Sequence, residues 1–184
     1  MLDRGRIKLL LIALICAAPT VAAYLVYYFW QPQARVNYGE LIEPRPLPEG
    51  ILGGGQTPIS ELKGKWVMMT VDSGACDAYC REKLYTLRQV RLTQGREMAR
   101  IARVWLIDDN RQPETALLAD YDGTTRLHPS SRVLQQAFPA EASRRDHIYL
   151  IDPLGNLMMR YPKNADPGKI VKDLARLLKV SRIG

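Results

Sequence analysis

The sequence predicts an α/β domain, a sheet with helices packed on it, carried behind one N-terminal transmembrane helix. Three observations predict it. Leu9 to Trp30 is an apolar run without a charged side chain. Short continuous apolar runs at 66–71, 104–107 and 147–151 read as buried strands. A helical stretch lies between the first two, and an amphipathic helix closes the chain. The 184-residue length suits one domain with an appendage. With 47% hydrophobic and 24% charged residues, the chain is no disordered polymer. Three cysteines are too few for a disulfide-rich scaffold, and two histidines, His128 and His147, leave little room for a His-rich metal site.

A helix over Leu9 to Trp30, at about 1.5 Å per residue, spans the ~30 Å hydrocarbon core of a bilayer. It ends in Tyr24, Tyr27, Tyr28, Phe29 and Trp30, an aromatic belt for the membrane–water interface. Arg4, Arg6 and Lys8 precede it, and Gln31 to Ala34 after it carry no charge. By the positive-inside rule the N-terminus is cytoplasmic and the rest is exported. The alternative is a signal peptide cut near Thr20-Val-Ala22, but the apolar run continues well beyond the usual ~7–15 residues of such a segment. Pro19 bends the span locally. Cys16 follows Ile15, where a lipoprotein acylation signal needs a small residue, and reads as a small apolar side chain in lipid.

From Gln31 to about Pro58 the chain is rich in Pro and Gly and reads as an extended tether, with a short edge strand at Tyr38 to Ile42. Gly53-Gly-Gly55 is followed by no Gly-Lys-Ser/Thr phosphate loop. Trp66 to Val71 is the first buried strand, and a helix follows from about Asp77 to Gly95 with Leu84, Leu87 and Val90 as its apolar stripe. Val104 to Ile107 is the second strand. Arg111 to Arg145 reads as irregular, with a helix around Arg132 to Phe138. His147 to Ile151 and Asn156 to Tyr161 form a hairpin about Asp152-Pro-Leu-Gly155. Asp166 is the N-cap and Pro167 the first residue of the last helix, whose apolar face is Ile170, Val171, Leu174, Leu177 and Leu178. This order, strand, helix, strand, hairpin, helix, is the thioredoxin arrangement.

The net charge of +7 is concentrated between Arg81 and Arg103, which holds seven basic and two acidic residues. No aromatic side chains are interleaved with Arg88, Arg91, Arg96, Arg100 and Arg103, and the domain lies on the exported side. A solvated helix face is expected there, with attraction to anionic lipid as the minor alternative. Nucleic acid is excluded as a partner. Asp108 and Asp109 read as a loop start or cap rather than a metal pair. Of Met68, Met69, Met158 and Met159, one of each pair is expected in the core.

Cys76-Asp-Ala-Tyr-Cys80 is the chemical signal. It stands where the first buried strand turns into the first long helix. The free amides and dipole of a helix N-terminus favour thiolate, the form needed for disulfide exchange and for soft-metal binding. In an oxidising compartment the pair could equally close into a structural bridge, although so short a loop restrains the unfolded chain little.

The single anchor, the Gly64-Lys-Trp66 lead into an apolar strand, and Cys76-x3-Cys80 opening a helix together resemble the Sco family. Asp146-His147-Ile-Tyr149-Leu-Ile-Asp152-Pro-Leu-Gly155 is similar to that family's His-containing strand and turn. The resemblance implies a membrane-anchored thioredoxin-fold copper protein that assists assembly of the cytochrome c oxidase copper centre. It implies Cys76 and Cys80 as redox pair and copper ligands, with His147 the third. Counted back from Gly155, His147 falls near the position that faces the cysteine pair in thioredoxin-like proteins. Three positions depart from the family: Asp77 and Arg81 stand where Sco motifs carry prolines, and Arg144 stands at the usual place of the histidine.

The expected organisation is thus a cytoplasmic tip and transmembrane anchor at 1–31, a tether at 32–58, and a thioredoxin-like domain at 59–184. That domain faces the periplasm of a bacterial-type inner membrane, with an oxidase subunit or another assembly factor as partner. A metal-free thiol–disulfide oxidoreductase and a non-catalytic assembly scaffold are the alternatives.

Overall fold

The computed structural model describes residues 4–29, 37–48, 51, 62–129, 137–138, 140, 142–181 and 183. The chain divides into two units, 1–36 and 37–184. The first is helix α1, Arg4–Phe29, with Pro19 inside it and no buried residue. It is long and apolar enough to cross a membrane.

The second unit is built on a six-stranded mixed sheet. Its strands are β1 (Glu40–Pro46), β2 (Trp66–Asp72), β3 (Ile101–Ile107), β4 (Thr124–Leu127), β5 (Ile148–Ile151) and β6 (Asn156–Tyr161), in the order β1-β6-β5-β2-β3-β4. Strands β2, β3 and β4 are parallel to one another, while β5 runs antiparallel to β2 and β6 to β5. Helix α2 (Ala78–Thr93) makes the crossover from β2, α3 (Thr115–Asp120) precedes β4, and α4 (Pro167–Val180) ends the unit.

Every residue of β2 is buried, because both faces of the central sheet are covered. On one face Trp66, Met68, Trp105, Ile148 and Leu150 pack against Leu84, Leu87 and Val90 of α2 and Ile170, Leu174 and Leu178 of α4. Cys76 and Cys80 belong to this layer. On the other, Val67, Met69, Val104, Tyr149 and Leu157 pack with Leu47, Leu62 and Phe138. Met68 and Met69 are therefore both in the core, one in each layer, where a single buried member was expected.

The edge strand expected in the tether is present and extends to Pro46, pairing antiparallel with β6. Its approach is fastened by Asp173, a buried carboxylate on α4. The backbone N–H groups of Tyr38 and Gly39 donate to it at 3.1 and 2.8 Å. The segment read as irregular contains α3 and β4. The helix expected at 132–138 lies almost wholly outside the described residues.

The arginine run is a solvated face only in part: Arg81, Arg88 and Arg96 are exposed, Arg91 and Arg100 half-buried and Arg103 buried. Arg88 donates to Asp120 O (3.1 Å), Arg91 to Ile101 O (2.8 Å) and Arg103 to Asp122 O (2.6 Å). Arg100 donates to Leu178 O and Ser181 O beyond the last turn of α4, at 3.0 and 2.8 Å. Arg88 and Arg100 thereby satisfy carbonyls at the ends of α3 and α4 that lack intrahelical partners.

Candidate redox site

The site forms where β2 ends and α2 begins. Asp77 caps the helix, its Oδ1 accepting the Cys80 N–H at 2.9 Å. Cys80 thus lies in the first turn and Cys76 just ahead of the cap, with a left-handed φ of 41°. The pair is joined as a disulfide with Cα atoms 5.0 Å apart. Both cysteines are covered, at 1% and 0% exposure, so exchange with a partner requires residues 73–77 to shift.

That loop is held from below. Gly74 packs directly on the Arg111 carbonyl, leaving no room for a Cβ. Asp109 accepts from Ser73 Oγ at 2.5 Å, from the Gly74 N–H at 3.0 Å and from the Arg111 N–H at 3.1 Å. Burial pushes the Asp109 carboxyl up, but these hydrogen bonds outweigh it and hold the group below the usual carboxylate range. Asp108 receives Arg145 in a two-pronged pair, at 2.9 and 2.6 Å. The acidic pair that reads as a loop start therefore braces the cysteine loop.

Beneath lies a buried ion pair. Lys83 Nζ is 2.6 Å from Asp72 Oδ2, with side-chain exposures of 3% and 5%. Lys83 also donates to Val71 O and to Arg145 O. Burial pushes its ammonium pKa down, against the pull of Asp72. Tyr79, inside the cysteine motif, donates to Asp146 O at 3.1 Å and accepts the Asn164 N–H at 3.3 Å. Asp72, Lys83, Asp109 and Arg145 were missed as site residues. The available signal was a lysine at position 83 next to the apolar stripe, three residues beyond Cys80, and an aspartate ending an apolar strand.

Cys76 and Cys80 are brought together as expected, while the contacts of His147 are with Tyr149 and Tyr161. Alternation along β5 puts Ile148 and Leu150 in the cysteine layer and Tyr149 in the opposite one. The His147 ring packs edge-on to Tyr149 at 5.9 Å, and its Nδ1–H donates to Tyr161 O at 2.9 Å. Among the described residues, no three His, Cys, Asp or Glu side chains converge as a metal site. The donor set at the loop is two sulfurs. His128 is an exposed residue just after β4.

Residues 66–181 match the family model of the transmembrane-like, thioredoxin-like, C-terminal domain, and residues 3–30 match that of the transmembrane-like, N-terminal domain. The chain belongs to this transmembrane-like, thioredoxin-like family. No curated protein matches it in sequence. In fold it is similar to yeast Sco1 crystallised with copper bound, at TM-score 0.57 and 16% identity over 78% of this chain and 93% of that one. It is similar to Bradyrhizobium japonicum ScoI with copper bound, at TM-score 0.51 and 16% identity over 75% and 98%. A putative electron transfer protein from Aquifex aeolicus matches at TM-score 0.54 and 17% identity over 72% and 96%. The Sco resemblance read from the motifs thus recurs in the fold, and at these identities the thioredoxin-like architecture is what is shared.

Proposed function

We propose that this family member is a membrane-anchored thiol–disulfide redox protein that serves assembly of the cytochrome c oxidase copper centre. The carrying observation is the Cys76–Cys80 disulfide at a capped helix N-terminus. Reduction of the pair by an external dithiol, which leaves as its own disulfide, gives two thiols where the helix dipole and free amides favour thiolate. One thiolate attacks a client disulfide, releasing one client thiolate and forming a mixed disulfide. The second cysteine attacks that bridge, releasing the other client thiolate and restoring Cys76–Cys80. Two electrons pass to the client, which leaves as a dithiol able to take up copper.

Residues 1–31 would anchor the protein in a bacterial-type inner membrane, N-terminus cytoplasmic, in accord with Arg4, Arg6 and Lys8. Residues 32–58 would tether a periplasmic domain at 59–184, with β1 of the tether already joined to its sheet. An oxidase subunit is the proposed client.

A second reading, copper(I) carried as cargo between the two thiolates, is supported by the relatives crystallised with copper bound. The loop itself offers it two sulfur ligands, and His147 contacts Tyr149 and the Tyr161 carbonyl. Anaerobic copper(I) titration of the reduced full chain separates the two. One equivalent bound in the native chain, and none in Cys76→Ala or Cys80→Ala, establishes the carrier. No binding, together with reversible reduction of the pair, establishes the metal-free reductant.

A further inference from the structure

At the β4 edge of the sheet, a cavity of about 320 Å³ lies between the strands and α3. Register explains its floor: Arg103 pairs with Thr124 and Trp105 with Arg126, so these four side chains share one face, and Trp105, Thr124 and Arg126 line the cavity. Leu117, Leu118 and Tyr121 supply an apolar wall opposite Trp105. A volume of this size with apolar walls and a few polar groups is that of a small-molecule site.

Two of the polar side chains in the lining, Trp105 and Arg126, can only donate. Trp105 is 2% exposed and its Nε1–H has no hydrogen-bond partner among the described residues. Arg103 is 6% exposed. Its Nη2 donates to Asp122 O at 2.6 Å, while Nε and Nη1 have no partner among the described residues. Arg126 lines the cavity and Arg88 donates to Asp120 O at the end of α3. The carboxylate in the lining, Asp122, has an oxygen occupied by the Gly123 N–H at 2.8 Å. Burial, together with Arg91 and Arg88, disfavours the charge on Arg103, against the pull of Asp122. Buried donors are costly unless an acceptor is supplied.

We propose that this cavity binds a small organic carboxylate, its apolar body against Leu117, Leu118 and Tyr121 and its charge toward Arg126 and the Trp105 indole. The site stands apart from the redox reading and does not depend on it.

The test uses the full chain in lipid nanodiscs, labelled with 5-fluorotryptophan, and phenylacetate as the probe. Phenylacetate shifts the Trp105 fluorine resonance and leaves that of Trp66 in place, phenylacetamide binds at least about tenfold more weakly, and Arg126→Gln weakens phenylacetate about fivefold or more. Arg126 is exposed, so this variant keeps the native thermal midpoint. A Trp105 resonance unmoved at about 20 mM phenylacetate, equal binding of phenylacetamide, or unchanged affinity in Arg126→Gln overturns the proposal. Inorganic phosphate binding as tightly as phenylacetate also overturns it, by making the cavity a simple anion site.

Discussion

Lys83→Met should be among the most damaging substitutions near the site. It removes the ammonium 2.6 Å from Asp72 Oδ2 and leaves a carboxylate that is 5% exposed with the Ser73 N–H, at 2.8 Å on Oδ1, as its remaining donor. Breaking a buried pair from one side costs about 3–5 kcal/mol, most of it the desolvation of the stranded charge. For a domain of this size about 1 kcal/mol corresponds to ~2–4 °C, so the thermal midpoint should fall by roughly 6–20 °C. Asp72→Asn together with Lys83→Met strands no charge, and should recover about 2 kcal/mol or more of the loss expected from adding the single variants. The assay is thermal unfolding of the oxidised full chain in detergent, followed by circular dichroism, for the four members of the cycle. A Lys83→Met loss below about 1 kcal/mol, or additive single variants, would refute the buried pair as a structural support of the cysteine loop.

Other outcomes follow from the same geometry. Gly74→Ala drives a Cβ into the Arg111 carbonyl and disturbs the three hydrogen bonds to Asp109. A loss of about 3 kcal/mol is expected by urea titration, and a neutral variant would contradict the close approach. Burial pushes the Tyr149 and Tyr161 phenols up, so the folded state holds these protons more tightly than the unfolded one. Stability is present below the ordinary tyrosine value near 10 and is lost as the pH rises above it. The Tyr161 hydroxyl has no hydrogen-bond partner among the described residues. Tyr161→Phe should therefore leave stability at pH 7 within about 1 kcal/mol and raise the alkaline unfolding midpoint, whereas a larger loss would imply a partner for the hydroxyl. His147→Ala should leave copper(I) affinity of the reduced chain within about twofold, and a tenfold fall would bring His147 back to the site.

The strands and helices that frame the cysteines were legible because each is periodic over enough residues. The full burial of β2, the stripe of α2, and the Asp166-Pro167 start of α4 are local properties of the chain. Helix α3, with six residues, and β4, Thr-Thr-Arg-Leu, are too short to show a period, and tertiary pairing with β3 decides them. Pro44 and Pro46 gave β1 the look of a tether, yet prolines are tolerated at a sheet edge, where it lies. The cysteine pair and its helix were legible from spacing. The partners of His147, Tyr149 and the Tyr161 carbonyl, were not, because they come from the packed hairpin rather than from local spacing. The arginines, too, carry no mark in the sequence of the carbonyls they meet.

The central claim is that Cys76 and Cys80 exchange electrons in the folded protein. Its most direct test is equilibration of the full chain in glutathione or dithiothreitol buffers, with thiols trapped by alkylation and counted by mass, alongside circular dichroism. The account predicts reversible two-electron reduction with the fold retained, at a potential above about −300 mV, since the helix N-terminus stabilises the reduced thiolate and the loop closed by the bridge is short. A pair reduced only on unfolding, or only below about −300 mV, would contradict it and leave a purely structural bridge.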